Sequence, residues 1–257
     1  MTDENPAGRT GTAVRAVGAP ELSVYLIARQ LIPRLPAHVV ALPGPVPSVV
    51  RLTGAIDDAA LLDAGLTWER YLDRHRVIYD QRNPGSRLLA ERYLYEAVGD
   101  AYDHQIDTAQ NRAAISRMVA RLGPGRLIDY GCGTGISADV LGEDRFLSVG
   151  VDISPTMRAI AERRGLRTTT VEDLASAPEG CFDGAFACYV LHLTSSHEHL
   201  PHVARAVRRG GRIAANFHKG RGLAEASAIL AQWDYEIVAR TPRSQSVPAP
   251  EVIWKRR

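Results

Sequence analysis

One stretch, LIDYGCGTGIS at residues 127–137, constrains this chain more than any other. Leu127 and Ile128 read as a buried strand. Asp129 follows, then Gly131, Gly133 and Gly135 at alternate positions, then the first turn of a helix. Glycine there lets the backbone turn sharply and lets a ligand come close where a Cβ would stand. The first N–H groups of the helix have no partner within it and can donate to that ligand. A strand, tight turn and helix of this kind form a nucleotide-type site at the carboxyl end of the first strand of an open α/β sheet. The dinucleotide form of the loop, G-x-G-x-x-G, needs a third glycine at position 136 when counted from Gly131. That position is Ile136, which disfavours a nicotinamide dehydrogenase.

Beyond the loop, strands are expected over 147–151, 167–171, 182–188, 212–217, 234–240 and 250–255, after a first strand over 126–130. Helices are expected over 135–142, 155–164, 198–208 and 222–231. Such alternation implies a mainly parallel sheet covered on both faces. Only TPRSQSVPAP separates the last two strands, so they are expected to pair antiparallel. Before the loop, DTAQNRAAISRMVARL places Ile115, Met118, Val119 and Leu122 on one helical face, and LGPG stops it.

The form D-x-G-x-G-x-G resembles the first motif of the class I, Rossmann-like S-adenosylmethionine-dependent methyltransferases. The resemblance covers residues from about 97 to 257. It implies an α/β fold: a seven-stranded, mostly parallel sheet with helices on both faces and an antiparallel last strand. It also implies a methyltransferase with S-adenosyl-L-methionine as cofactor. The chain then divides into a disordered tail (1–19), a small α+β N-terminal extension (20–86) and the cofactor-binding domain (87–257).

The cofactor residues follow from motif and position. Asp152 ends the second expected strand, seventeen residues after Gly135. A carboxylate there can accept both ribose hydroxyls of an adenosine, and Ile153 beside it would face the adenine. Ser154 and Pro155 open the next helix as cap and first residue, and Met157 sits in its first turn. Either Glu172 or Asp173 could accept the adenine amine, with the Leu174 N–H facing the ring; Asp173 fits the family's pattern better. In the family, the acid at Asp129 orients the loop and meets the methionine end of the cofactor; the Gly131 carbonyl is a second acceptor. Cys132, within the loop, and Cys188, at the end of the fourth strand, complete the cofactor set. Tyr102 joins it through AVGDAYD, which resembles the family's segment that closes over the cofactor.

The sulfonium is already a good leaving group, so the protein's task is to align the acceptor with the methyl. Cys188, Tyr189 and His192 lie at the end of the fourth strand, where the methyl should project. Tyr189 and His192 are the candidate catalytic residues. The N/D-P-P-Y motif of base-modifying enzymes is missing, as is the Asp of metal-dependent catechol-type enzymes. His192, His197, His199 and His202 cluster in LHLTSSHEHLPH, but no cysteine supports a metal and none is assigned. Asp183, at the start of the strand, should serve structure. Gly210 and Gly211 read as a turn, and Asn216 and His218 as rim residues able to touch substrate.

The N-terminal extension reads as a helix over ELSVYLIARQLI, two short strands at HVVALP and SVVRLTG, and a helix over DDAALLDAGLTWERYLDRHRVI that Gly65 can split. It would cap the rim, shape the substrate pocket or make a homodimer contact. The formal net charge of +2 is scattered, which argues against a nucleic-acid partner. No apolar run reaches membrane-spanning length. Three cysteines without C-x-x-C spacing suit a reducing cytoplasm. The expected acceptor is a small molecule, in bacterial secondary metabolism. A peptide or RNA acceptor, or a non-catalytic protein that binds S-adenosylmethionine, are the alternatives.

Overall fold

The computed structural model describes residues 23–27, 39–41, 49–53, 58–63, 65–71, 75–80, 82, 84–143 and 147–257. The expected tail at 1–19 lies outside the described residues. The chain forms two compact units that divide between Leu94 and Tyr95.

The first unit holds a five-stranded sheet. Its strands are β1 (Ser23–Ile27), β2 (Val39–Ala41), β3 (Val49–Thr53), β4 (Leu66–Tyr71) and β5 (His75–Asp80), in the order β2-β3-β1-β5-β4. Two helices belong here: α1 (Asp58–Asp63) and the larger part of α2 (Pro84–Val98). The two short strands at 39–41 and 49–53 pair antiparallel as expected.

Two expected helices are strands instead. Residues 23–27 of ELSVYLIARQLI form β1; a short apolar run fits either period, and the valine, tyrosine and isoleucine favour a pleated chain. The second expected helix ends after six residues. Gly65, at φ +75°, closes α1 with its N–H on Leu62 O at 2.8 Å. LTWERY and HRVIYD then pair antiparallel, Leu66 opposite Asp80 and Tyr71 opposite His75. Cross-strand contacts select the hairpin. The Tyr79 hydroxyl donates to Glu69 at 3.0 Å, and the Arg76 guanidinium lies 4.1 Å from the Trp68 ring centroid.

The second unit holds α3 (Asp103–Ile106), α4 (Ala109–Leu122) and then the expected alternation: β6 (Leu127–Tyr130), α5 (Ser137–Leu141), β7 (Val149–Val151), α6 (Pro155–Arg163), β8 (Thr168–Thr169), α7 (Val171–Ser176), β9 (Phe182–Ala187), α8 (Leu200–Ala206), β10 (Val207–Asn216), α9 (Leu223–Ala231), β11 (Tyr235–Thr241) and β12 (Glu251–Arg256). The seven strands lie in the order β11-β12-β10-β9-β6-β7-β8. β8, β7, β6, β9 and β10 run parallel, while β12 inserts antiparallel between β10 and β11.

Each strand's alternation sends its side chains into two cores. Ile128, Ala185, Ile213 and Trp254 enter one; Leu127, Phe186, Ala214 and Ile253 enter the other, with Ile115 and Met118 from α4. From β6 the chain moves outward through β7 to β8, then returns to β9 on the other side of β6. That reversal opens a crevice at the carboxyl ends of β6 and β9.

Two local expectations shift. The third strand is only Thr168–Thr169, because Thr170 caps a helix that starts at Val171. Gly210 and Gly211 lie inside β10, where its register with β9 shifts, rather than in a turn before it. A Cβ on Gly211 would stand 2.6 Å from Asp183 O, so only glycine lets the bulged strand close on β9.

Candidate active site

The loop after β6 is shaped by close contacts as much as by room for a ligand. Gly131 has φ +71°, and a Cβ there would lie 2.3 Å from Val190 Cγ2. Gly135 has φ +79°, and its Cβ would lie 2.7 Å from Ala161 Cα in α6. Gly133 differs: the nearest atom to its Cβ would be Tyr102 Cε1 at 3.5 Å, so this glycine faces the Tyr102 ring. The Gly131 and Cys132 N–H groups both donate to Val151 O, tying the loop to the tip of β7. Cys132 points into the core, where its Sγ would meet a Cβ on Gly150 at 2.8 Å.

Asp152 stands at that tip, facing the loop. One carboxylate oxygen accepts the Gly133 N–H at 2.9 Å and the other accepts the Ser154 N–H at 2.9 Å. Each oxygen therefore keeps a lone pair, which suits a pair of vicinal hydroxyls. Burial pushes the Asp152 carboxyl above its usual range, against the pull of these backbone donors. Asp129 is buried under the loop and accepts the Ser137 hydroxyl. Its burial, with Asp152 near, raises its pKa to about 7.

Tyr102 ends a short 3-10 turn over Gly99–Tyr102. Its ring meets Tyr95 edge-on, centroids 5.4 Å apart, and burial raises its pKa, with Asp152 and Cys188 nearby adding to the rise. The next residue, Asp103, accepts the Thr134 hydroxyl from the glycine loop and the Arg164 guanidinium from the end of α6. The tyrosine is thus fixed over the loop from both sides.

At the β8 edge, Asp173 serves the helix cap. Its carboxylate accepts the Thr170 hydroxyl at 2.9 Å and its N–H donates to the same hydroxyl at 3.0 Å. Glu172 is exposed. Leu174 is a core residue whose N–H is bonded to Thr170 O, so that N–H is not free to face an adenine as the sequence suggested. Met157 is buried, and Ile153 packs partly exposed against the core.

At the other side of the crevice, β9 ends in Cys188 and Tyr189. Tyr189 holds φ +56°, a left-handed conformation that costs a non-glycine residue about 1 kcal/mol or more. Asn216 secures it: its Oδ1 accepts the Tyr189 N–H at 2.5 Å, and its Nδ2 faces Cys188 Sγ at 3.7 Å. Asn216 is therefore a buried brace rather than an open substrate contact. Burial, with Asp129 opposite, lifts the Cys188 thiol to about 12. Beside this, Glu251 accepts two N–H groups of Arg117 on one oxygen, at 3.0 and 2.6 Å, while its other oxygen is buried without a partner.

His192 follows in the turn after β9. Its Nδ1 is buried without a hydrogen-bond partner, and burial lowers its pKa to about 4. The histidine cluster of the sequence disperses: His197 Nε2 bonds Leu191 O at 2.9 Å, and His199 stacks on His202. Among the described residues, no group of three or more His, Cys, Asp or Glu side chains could hold a metal ion. Asp183 bonds the Arg126 N–H and Arg208 at the far end of β9, the structural place expected.

A glycine loop, an acid at the next strand tip and a reversal of strand order on the other side of the loop's strand describe a nucleotide cradle. Residues 128–215 match the sequence profile of a family described as a methyltransferase domain. Over those residues the chain carries a methyltransferase domain of the S-adenosylmethionine-dependent kind. No curated protein matches the sequence. Similar solved structures include a SAM-dependent methyltransferase from Archaeoglobus fulgidus, 17% identical, covering 61% of this chain and 98% of its own with a TM-score of 0.47. Another, from Mesorhizobium loti, is 17% identical over 59% of this chain and 100% of its own, TM-score 0.45. The 4+2 cyclase SpnF is 16% identical over 57% of this chain and 81% of its own, TM-score 0.45.

The cofactor of the methyltransferase domain is S-adenosylmethionine. The residues present fit it, with a carboxylate keeping two lone pairs beside a glycine under an aromatic ring. The structure brings Tyr102, Asp129, Gly131, Gly133, Gly135, Asp152 and Cys188 together around the loop after β6. Sequence reasoning missed Thr134, Asp103 and Arg164, which fix Tyr102, and Arg117 and Glu251 beside Tyr189. Each of these links joins distant segments, up to 134 residues apart for Arg117 and Glu251, so no local motif announces it. No described helix is long and apolar enough to cross a membrane.

Proposed function

We propose that the protein transfers the methyl group of S-adenosylmethionine to a small-molecule acceptor, in the cytoplasm and in bacterial secondary metabolism. The Asp152 carboxylate supports the cofactor pose most directly, because backbone N–H groups fix it and leave it one free lone pair per oxygen. Ribose hydroxyls bind there. Ile153, Met157 and the first turn of α7, with Glu172 and Asp173, border the adenine, and the methionine end reaches toward Asp129 and Cys188. When bound, the cofactor supplies an electrophilic methyl on a sulfonium. Tyr102, braced by Asp103, covers it and excludes water. Tyr189 and His192 border the acceptor, and His192 is neutral at physiological pH, so its imidazole can both donate and accept a hydrogen bond. A formal net charge of only +2 suits a small-molecule acceptor better than a nucleic acid, and a composition with only two lysines among 31 basic residues fits a GC-rich bacterial source.

Titration calorimetry with S-adenosylhomocysteine tests the reading. Asp152→Ala should weaken binding by about 1–3 kcal/mol, the loss of hydrogen bonds to a charged acceptor. Equal affinity in the two proteins would remove the ribose assignment.

A further inference from the structure

One stretch of the acceptor rim gathers basic side chains. The segment after β10 runs Phe217, His218, Lys219, Gly220, Arg221, Gly222 and packs directly on the turn after β9. A Cβ on Gly222 would fall 2.1 Å from Leu191 O and 3.2 Å from His192 Cα, so the two backbones touch. The segment is held in shape by its own bonds, Gly220 N–H to Phe217 O and Arg221 N–H to His218 O. Lys219 sits in a left-handed conformation at φ +53°. His218, Lys219 and Arg221 are all exposed, and the His218 ring centroid lies 5.8 Å from that of His192.

The charged groups that act on His192 are His218 and Arg221, and both oppose its protonation. Of the nearby acids, Glu251 bonds Arg117 through one of its two oxygens, and Asp129 accepts the Ser137 hydroxyl. Glu225, in the first turn of α9, is exposed to solvent. The His192 Nδ1 atom has no partner in the protein.

We propose that the methyl acceptor is a small organic anion, a carboxylate or an acidic phenolate. Its charged oxygen lies beside His192 in the field of Lys219 and Arg221. This rests on the cofactor pose given above and names the class of substrate for that site. The chemistry closes without a proton. An acceptor oxygen lone pair forms the O–CH3 bond, the C–S bond breaks, and its electron pair stays on sulfur. The products are a methyl ester or ether and S-adenosylhomocysteine. An ammonium acceptor would first have to surrender a proton to a base, a step that an anionic oxygen does not need. The cationic field also draws an anion in and repels an amine of the same shape.

Benzoate and benzylamine, matched in shape and opposite in charge, test the proposal at neutral pH with saturating S-adenosylhomocysteine, read by calorimetry. Benzoate should bind at least about tenfold more tightly than benzylamine, and added salt should narrow the gap. Arg221→Gln and Lys219→Gln change exposed side chains, and each should reduce that preference while leaving S-adenosylhomocysteine affinity unchanged. With methyl-labelled S-adenosylmethionine, benzoate should yield the base-labile methyl ester. Benzylamine binding as tightly as benzoate, or no benzoate binding to the S-adenosylhomocysteine complex, would overturn the anionic assignment alone. Absence of S-adenosylhomocysteine binding would remove the cofactor pose and this inference with it.

Discussion

The two halves of the crevice are built differently. On the β6–β7 side, the ligand-facing groups are tied by backbone bonds and by glycine contacts. Asp152 is held by two N–H groups, the loop by Val151 O, and Gly131 and Gly135 by neighbours within 2.7 Å of where a Cβ would stand. On the β9–β10 side, side chains set the surface. Tyr189 depends on the Asn216 amide, while His192 Nδ1 and one Glu251 oxygen lack partners. The first arrangement suits one unvarying ligand. The second can change with a few substitutions, which is how one fold serves many acceptors.

Substitutions can break this contrast. Gly131→Ala should have the largest effect, since it meets both Val190 and a positive φ. We expect a loss of about 2–4 kcal/mol in stability, measured by denaturant unfolding. A neutral result would mean that the loop is softer than its contacts imply.

The pH dependence separates the halves by sign. Folded Asp129 keeps its proton to about 7, whereas the unfolded carboxyl releases it near 3.8. The folded state binds more protons in between, so the contribution of Asp129 to stability falls as pH rises over that window. The gain from Asp129→Asn should therefore grow from about pH 4 to 7 and then level. His192 has the opposite sign. Its folded pKa of about 4 lies below the ordinary 6.5, so its contribution is lost as pH falls through that interval. Melting curves of the two variants across pH check both directions.

Why the first half was legible and the second was not has a physical cause. Gly131, Gly133, Gly135 and Asp152 are read from spacing, because a turn and a strand tip are local events. The alternation after residue 126 was equally plain and gave the sheet. Tyr189 and Asn216 are 27 residues apart, and their bond exists only because β9 and β10 are neighbours. The hairpin of β4 and β5 escaped for the same reason. Its segment carries apolar residues at spacings that fit a helix, and only the cross-strand partners decide. Leu174 was misjudged because Thr170 caps a helix from Val171, where a strand end and a loop were expected.

Smaller effects sharpen the comparison. Thr134→Val removes the hydroxyl that Asp103 accepts and should weaken S-adenosylhomocysteine by about 1 kcal/mol through a looser Tyr102. His192→Ala should leave that affinity within about twofold, a change below 0.5 kcal/mol, as the acceptor-side role proposed for the imidazole requires. Calorimetry on both proteins checks this. A His192 variant that loses the ligand would merge the two halves into one site.

The most direct measurement is a crystal structure of the complex with S-adenosylhomocysteine. The account predicts both ribose hydroxyls on the Asp152 carboxylate, the adenosine beside Gly133 under Tyr102, and the sulfur turned toward Tyr189 and His192. A ligand bound elsewhere, or Asp152 turned away from the sugar, would contradict it.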